Sequence, residues 1–387
     1  MKRRNPAFRD RLNIFAALAV VALVTVSLLA QSNAQHYAGG EYYDRQTIWI
    51  VIGGAAFVAA FVIDLRLVER AAYFYYGFCI LLLLVTLVVG GTNDTSKFDF
   101  RRWIHLGPIN IQASEFTKLA VILALARFLH QKKERLPGET EPLVGRYSMQ
   151  QLVQPAMVIL FPLALILLQP DLGTALMLIF VGSTMLIMEG VARRAMIIAA
   201  LATLIAVPVA WQSGLIQTYQ KDRIYKLVDK NWEKVDDNGK VQERLRTQVE
   251  QAVWAIGTGG FVGQGNRQAD KIRMDALPEL HSDFILPMVA EERGFVGMTV
   301  LLFLFWSLVM WSLRTANDSR TRFCRQIAIG IAALLGWQVF INVSMVTEML
   351  PVVGLPLPFL SYGGSAMLML MMALGLLFNV AASRGRL

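Results

Sequence analysis

Long apolar runs separated by short, mostly basic connections fill nearly the whole chain. The runs approach twenty residues and lack strict apolar–polar alternation. That pattern predicts membrane-crossing helices rather than the strands of a barrel, since these are the two structures that satisfy the backbone inside lipid. Ten spans are expected, at 12–30, 47–64, 72–90, 114–130, 152–169, 172–189, 194–212, 284–312, 323–348 and 361–381. The fourth is the least hydrophobic, because Glu115 and Lys118 fall in its first turns. A long polar stretch, 213–283, separates the seventh and eighth spans. It ends in a partly amphipathic helix, VEQAVWAIG, followed by GTGGFVGQG, and this part could lie on a membrane surface. The apolar run from Leu12 to Ala30 follows Lys2, Arg3 and Arg4 as in a signal peptide. It is long for one and reads as an uncleaved first span. The expected fold is all-α: one polytopic membrane domain, 1–387, with 213–283 as a long loop within it.

Composition agrees. The 387 residues are 55% hydrophobic and 17% charged, with a net charge of +9 and a mean hydropathy of +0.48. An ordinary soluble protein carries more charge. The basic residues flank the apolar runs and form no stripe interleaved with aromatics, so they read as a topological signal and not as a nucleic-acid surface. With the N-terminus inside, the inner connections hold Arg66, Arg70, Lys132, Lys133, Arg193, Arg194, Arg320, Arg322 and Arg384, among others. The short outer loops hold only Arg45, Lys97, Arg101 and Arg102. Both termini are therefore expected in the cytoplasm. Three elements then face outward: the loop Gly91–Ala113, the long loop, and the turn around Leu350–Gly364. The two cysteines, Cys79 and Cys324, give no disulfide framework and read as packed thiols.

Ionisable groups near a membrane boundary are costly and mark function. Asp283, in LPELHSDFILPMVAEERG, stands where the long loop turns into an apolar helix. It reads either as a helix N-cap or as a general base at the outer boundary. His281 and Glu279 read as neighbours in a solvated loop. Glu291 and Glu292 follow about two turns further in. Glu115 and Lys118 are three apart, so they share a helix face, as a structural ion pair, a polar site, or both. Arg101 and Arg102 break the inside bias, which points to an anionic partner such as a pyrophosphate. In LPVVGLPLPFLSYGGSAML, prolines and glycines interrupt an apolar span. Such backbone is either a plain turn or the wall of a cavity, to which Ser361 and Tyr362 would add hydroxyls. GTGGFVGQG lacks the Lys-Ser/Thr of a phosphate loop and follows no strand, so it reads as a flexible or tight loop. No His/Cys metal signature occurs, although carboxylates could hold a hard cation.

Three of these segments, RRWIHLGPINIQASEFTK, LPELHSDFILPMVAEERG and VVGLPLPFLSYGGS, occur in the order found in the SEDS (shape, elongation, division and sporulation) family of bacterial ten-helix membrane proteins. QPDLGTAL and AIGTGGFVGQG are similar to that family too, so the resemblance covers nearly the whole chain. GLPLPFLSYGGSA resembles the RodA branch more than the FtsW branch. Two positions depart from the pattern: Ala113, where proline is usual, and Ala366, where many members have serine. The first puts the local entry to the fourth helix in doubt, and the second fits RodA.

The resemblance implies a peptidoglycan glycosyltransferase of the inner membrane that polymerises lipid II for cell elongation and shape. It implies Asp283 as the essential aspartate. Arg101, Arg102, Glu115, Lys118, Ser361 and Tyr362 are then expected at the substrate. Mg²⁺ or Mn²⁺ could assist, with Glu115 as a candidate ligand, and no organic cofactor is expected. The expected partners are lipid II, undecaprenyl-pyrophosphate-linked glycan, a class B penicillin-binding protein and other elongation-complex proteins. The competing readings are a lipid II flippase and a non-catalytic scaffold.

Overall fold

The structure is a computed structural model that describes residues 6–89, 102–106, 109–134, 149–190, 244–269 and 280–383. The seventh expected span, Arg101 and Glu279 lie outside the described residues.

The chain runs α1 (Pro6–Ala38), α2 (Tyr42–Val62), α3 (Leu65–Val89), β1 (Trp103–Leu106), β2 (Ile109–Gln112), α4 (Ala113–Glu134), α5 (Met149–Leu168), α6 (Leu172–Met188), α7 (Arg244–Thr258), α8 (Ile285–Asp318), α9 (Arg322–Val346) and α10 (Gly364–Ser383). Among the described residues, α1, α2, α3, α8, α9 and α10 are long and apolar enough to cross a membrane, and α5 and α6 are shorter apolar helices. The protein is a polytopic helical membrane protein, as its sequence pattern predicts.

The least hydrophobic of the expected spans, α4, occupies the centre. From Leu119 to Ala126, α4 is no more than 5% exposed at any position. It packs against α3, α5, α6, α9 and α10. A helix buried on every side needs small or apolar residues all round, and LAVILALA supplies them. Lipid-facing helices instead expose large apolar side chains such as Phe74, Phe303 and Trp306. Small residues let helices close up: a Cβ on Gly330 of α9 would lie 2.5 Å from Ile122.

Two expectations change. The loop Gly91–Ala113 contains an antiparallel hairpin, with Trp103 opposite Gln112 and Ile104 opposite Ile111. The β-branched isoleucines favour it, and the apolar–polar count alone could not show it. The single span at 284–312 is instead two helical pieces joined at Gly294, where φ is 61° and ψ −165°.

Candidate functional site

Asp283 sits in the turn 280–284 that leads into α8. The N-cap position is Phe284, one residue on, so capping does not account for Asp283. Three successive carbonyls of this turn are pinned from three directions. His281 O accepts from Gln31 Nε2 of α1 at 3.1 Å and from the Tyr362 N–H at 2.8 Å. Ser282 O accepts from Ser361 Oγ at 2.7 Å. Asp283 O accepts from Asn342 Nδ2 of α9 at 3.1 Å. The half-buried carboxylate faces Gly354: a Cβ built there would lie 3.4 Å from Asp283 Oδ2, and Gly354 has φ 71°. A left-handed glycine at this point lets the backbone pass the carboxylate closely.

Gly354 belongs to the irregular segment 347–363 between α9 and α10, much of which is buried. Buried backbone outside regular structure must find partners elsewhere, and here they are side-chain amides. Asn342 Nδ2 donates to Leu355 O at 2.7 Å and Gln338 Nε2 to Pro356 O at 2.8 Å. Ser27 Oγ and Gln46 Nε2 donate to Phe359 O at 2.6 and 3.2 Å, and Gln31 Nε2 donates to Leu360 O at 2.6 Å. Ser361 Oγ also accepts the Leu357 N–H at 2.6 Å. The proline- and glycine-rich stretch is therefore a braced, buried segment and not a plain turn. The side-chain oxygens of Gln31, Gln46 and Asn342 are buried and find no donor among the described residues.

On the other side of 353–355 stands the first turn of α6. A Cβ on Gly173 would lie 2.8 Å from Val353 O and 3.0 Å from Gly354 O. Asp171 caps this helix by accepting from the Thr174 N–H at 3.1 Å. It also accepts from Thr174 Oγ1 (2.8 Å), Ser114 Oγ (3.1 Å) and Gln112 Nε2 (3.3 Å). Asp171 thereby ties the hairpin and the entry of α4 to α6. Arg102 donates from Nε to Gln169 O at 2.9 Å and from its terminal nitrogen to Pro170 O, the carbonyls that end α5. Lys118 Nζ lies 2.8 Å from each oxygen of Glu115, with both side chains almost fully buried. An ammonium in this position competes with a second cation for the Glu115 carboxylate. Among the described residues no group of three His, Cys, Asp or Glu could hold a metal ion.

The acids beyond the turn do different work. Glu292 is 3% exposed and accepts from Asn33 Nδ2 (2.6 Å), Tyr37 Oη (2.9 Å) and the Arg267 N–H (2.9 Å). Glu291 is fully buried, and its carbonyl accepts from Gln264 N. The Gly-rich loop is zipped onto the break in α8: Gly265 N donates to Glu292 O, Phe295 N to Gly260 O, and Val296 N to Phe261 O. It is the tight alternative of the two expected.

The structure thus brings Asp283, Ser361 and Tyr362 together at the segment 347–363 and Arg102 to the turn before α6, while the Glu115–Lys118 pair is buried in the first turns of α4, beside the Ser114 that bonds Asp171. Ser361 acts there as a backbone brace. Sequence reasoning passed over Asp171, Ser27, Gln31, Gln46, Gln338 and Asn342. It also read His281 as a solvated neighbour, whereas its ring stacks on Tyr42 at 4.0 Å between centroids.

The family profile described as "Cell cycle protein", which covers the FtsW, RodA and SpoVE proteins, matches residues 9–386. The chain is 32% identical over 367 residues to the peptidoglycan glycosyltransferase MrdB of Escherichia coli, covering 95% of this chain and 92% of that protein. It is 33% identical over 379 residues to a probable peptidoglycan glycosyltransferase, FtsW, of Geobacter sulfurreducens, covering 96% of this chain and 95% of that protein. Among solved structures it is similar to a chain described under "Structural coordination of polymerization and crosslinking by a peptidoglycan synthase complex". That match has a TM-score of 0.77 and 27% identity, over 96% of this chain and 98% of that chain. It is also similar to the rod shape determining protein RodA of Thermus thermophilus, with a TM-score of 0.66 and 27% identity over 95% of this chain and 96% of that chain.

Proposed function

As a member of the FtsW, RodA and SpoVE family, this chain is a peptidoglycan glycosyltransferase, and we propose that it polymerises lipid II with Asp283 as the general base. The observation that carries the residue assignment is the fixing of the backbone that bears one carboxylate. Its own carbonyl and the two before it are each held by a different donor, and its side chain faces Gly354 in an irregular segment. Preorganisation of this kind lets a base meet its proton without reorganising.

In the proposed reaction, Asp283 takes the proton of the acceptor N-acetylglucosamine hydroxyl as its oxygen forms a bond to the donor's anomeric carbon. The bond from that carbon to the undecaprenyl pyrophosphate breaks, and the pyrophosphate leaves with the electron pair. Attack opposite the leaving group converts an α-linked donor into a β-linkage, by analogy with inverting glycosidases. Arg101 and Arg102 balance pyrophosphate charge, and Lys118 adds its field while bonded to Glu115. A divalent cation, Mg²⁺ or Mn²⁺, would supply further positive charge for the leaving pyrophosphate; Glu115 is the candidate protein ligand, with its carboxylate also facing the Lys118 ammonium. We place the protein in the inner membrane with both termini cytoplasmic and the site outside. We assign it to the elongation branch, with a class B penicillin-binding protein and other elongation-complex proteins as partners.

The test is polymerisation of labelled lipid II by the purified full-length protein, alone and with a cognate transpeptidase. Asp283→Asn is expected to abolish polymer while lipid II still binds. Lipid translocation without polymer, unaffected by that substitution, would make the protein a flippase instead. Normal growth and shape with Asp283→Ala at matched expression would leave only a scaffold.

A further inference from the structure

Two residues before Asp283, the His281 ring lies against Tyr42 of α2, with centroids 4.0 Å apart and planes within 10°. Tyr362 meets Tyr42 edge-on at 5.6 Å and His281 at a tilt at 5.9 Å. All three rings are half-buried, so the cluster reaches the surface. Arg45, one turn along α2 from Tyr42, interacts with the Tyr362 side chain and with Glu41 at 3.3 Å, and stays largely exposed. The backbone holds the cluster rigid, because the Tyr362 N–H donates to His281 O at 2.8 Å.

Packing alone accounts poorly for this arrangement. A core stack would use phenylalanine or leucine, be fully buried, and have no reason to carry an exposed guanidinium at its rim. Half-exposed aromatic rings offer π faces to the axial C–H bonds of a pyranose, whose hydrogens carry partial positive charge. An arginine beside them offers paired N–H donors to a phosphate or carboxylate. We infer that Tyr42, His281 and Tyr362, with Arg45, form a saccharide subsite that seats an amino-sugar ring and its neighbouring anionic group next to Asp283. The inference rests on the proposed glycan-polymerising reaction and adds the residues that recognise the sugar. The shared chemistry is an N-acetylhexosamine bearing an anion, which either the donor lipid or the end of the growing glycan could present.

The experiment measures both lipid II polymerisation and equilibrium binding, using full-length protein in detergent micelles. Binding is read on an Asp283→Asn background so that turnover does not interfere. Tyr42→Ala and Arg45→Ala are each expected to raise KM about tenfold, the factor that 1.4 kcal/mol represents, with kcat within about twofold. Tyr42→Phe keeps the ring and is expected to restore the wild-type KM. Competition by undecaprenyl pyrophosphate without sugar, against competition by lipid-free glycan oligomers, assigns the subsite to one source. Displacement by glycan alone makes it an acceptor site, and displacement only by the complete lipid makes it a donor site. Unchanged KM in both alanine variants overturns the inference. So does a loss of kcat and folded yield together that Tyr42→Phe does not repair, which would mark a structural cluster. Lipid II binding weakened by Tyr42→Ala in a protein whose wild type makes no polymer would sink the polymerase reading and leave the subsite standing.

Discussion

Two breaks flank the turn that carries Asp283, and they are built in opposite ways. The break at Gly294 is sealed by main chain. The Gly-rich loop 259–265 forms backbone hydrogen bonds to residues 291–296, and Glu292 takes three donors, from Asn33 and Tyr37 of α1 and from the Arg267 N–H. The break between α9 and α10 is held by side chains instead. Four amides, Gln31, Gln46, Gln338 and Asn342, donate to its carbonyls, and the oxygens of three of them have no donor among the described residues. A finished hydrogen-bond network rigidifies, and an incomplete one is costly to bury. Incomplete polar capacity is tolerated where something else completes it. The first break is closed by the protein's own groups, whereas the second keeps buried acceptor oxygens that no described donor meets.

The largest effect is expected at the sealed break. Gly263 has φ 86°, and a Cβ there would lie 2.2 Å from Glu292 O. Backbone, not a flexible side chain, is in the way, and the left-handed conformation penalises any L-residue. Gly263→Val should cost about 3–5 kcal/mol, enough to remove most folded protein. Folded yield by size exclusion and thermal unfolding in detergent check it. A variant that folds normally would show that the seal is loose.

Glu292 comes next. Glu292→Ala takes the acceptor away from Tyr37 Oη and the Arg267 N–H, while Asn33 Nδ2 keeps Asn266 Oδ1, and should cost about 1–3 kcal/mol in all. Glu292→Gln keeps the shape but sets an amide N–H₂ against donors, and should recover part of the loss. In both, specific activity per folded molecule is expected to hold. A drop in kcat with unchanged melting would move Glu292 from support into the chemistry.

How legible this contrast is in the sequence depends on what each part is made of. Charges in apolar surroundings stand out, so Asp283, Glu115 and Lys118 are readable, and so is a proline- and glycine-broken span. The bracing amides do not stand out, since a lone glutamine in an apolar run suggests nothing. Their spacing does carry a signal: Ser27 and Gln31 are four apart, as are Gln338 and Asn342, so each pair shares one helix face. Asp171 was readable as well, because Asp-Leu-Gly-Thr ahead of an apolar run is a cap pattern that Thr174 completes. The fold at Gly294 was hidden because EERGFVGM keeps helical periodicity across the break. The main-chain partner that makes the break possible lies some thirty residues earlier, in a loop whose role only packing reveals.

At the second break, Asn342 separates holding from catalysis. Its amide bridges Leu355 O and Asp283 O, so it joins the irregular segment to the proposed base. Asn342→Ala should lower stability by about 1–3 kcal/mol, the cost of two buried carbonyls losing their donor. It should also reduce kcat by about tenfold or more, as a loosened base loses its alignment. Equal loss of stability with full kcat per folded molecule would show that Asp283 is positioned without it.

Gln46 carries the smallest expected change in stability and the sharpest test of the comparison. Its amide nitrogen lies 3.2 Å from Phe359 O, an acceptor already held by Ser27 at 2.6 Å, while its oxygen is buried with no donor among the described residues. Gln46→Leu is nearly the same size. It removes three long hydrogen bonds, to Phe359 O, Ser27 Oγ and Ser361 O, and a stranded oxygen together, so the contributions oppose and the net effect on stability should stay within about 1 kcal/mol. If the oxygen exists only because the amide must, activity will survive as well as the fold does. If it is held for a bound sugar or pyrophosphate group, Gln46→Leu will raise KM for lipid II while the melting temperature stays put. No substitution at the sealed break can produce that combination, because every polar atom of the Glu292 carboxylate already faces a donor from the protein itself.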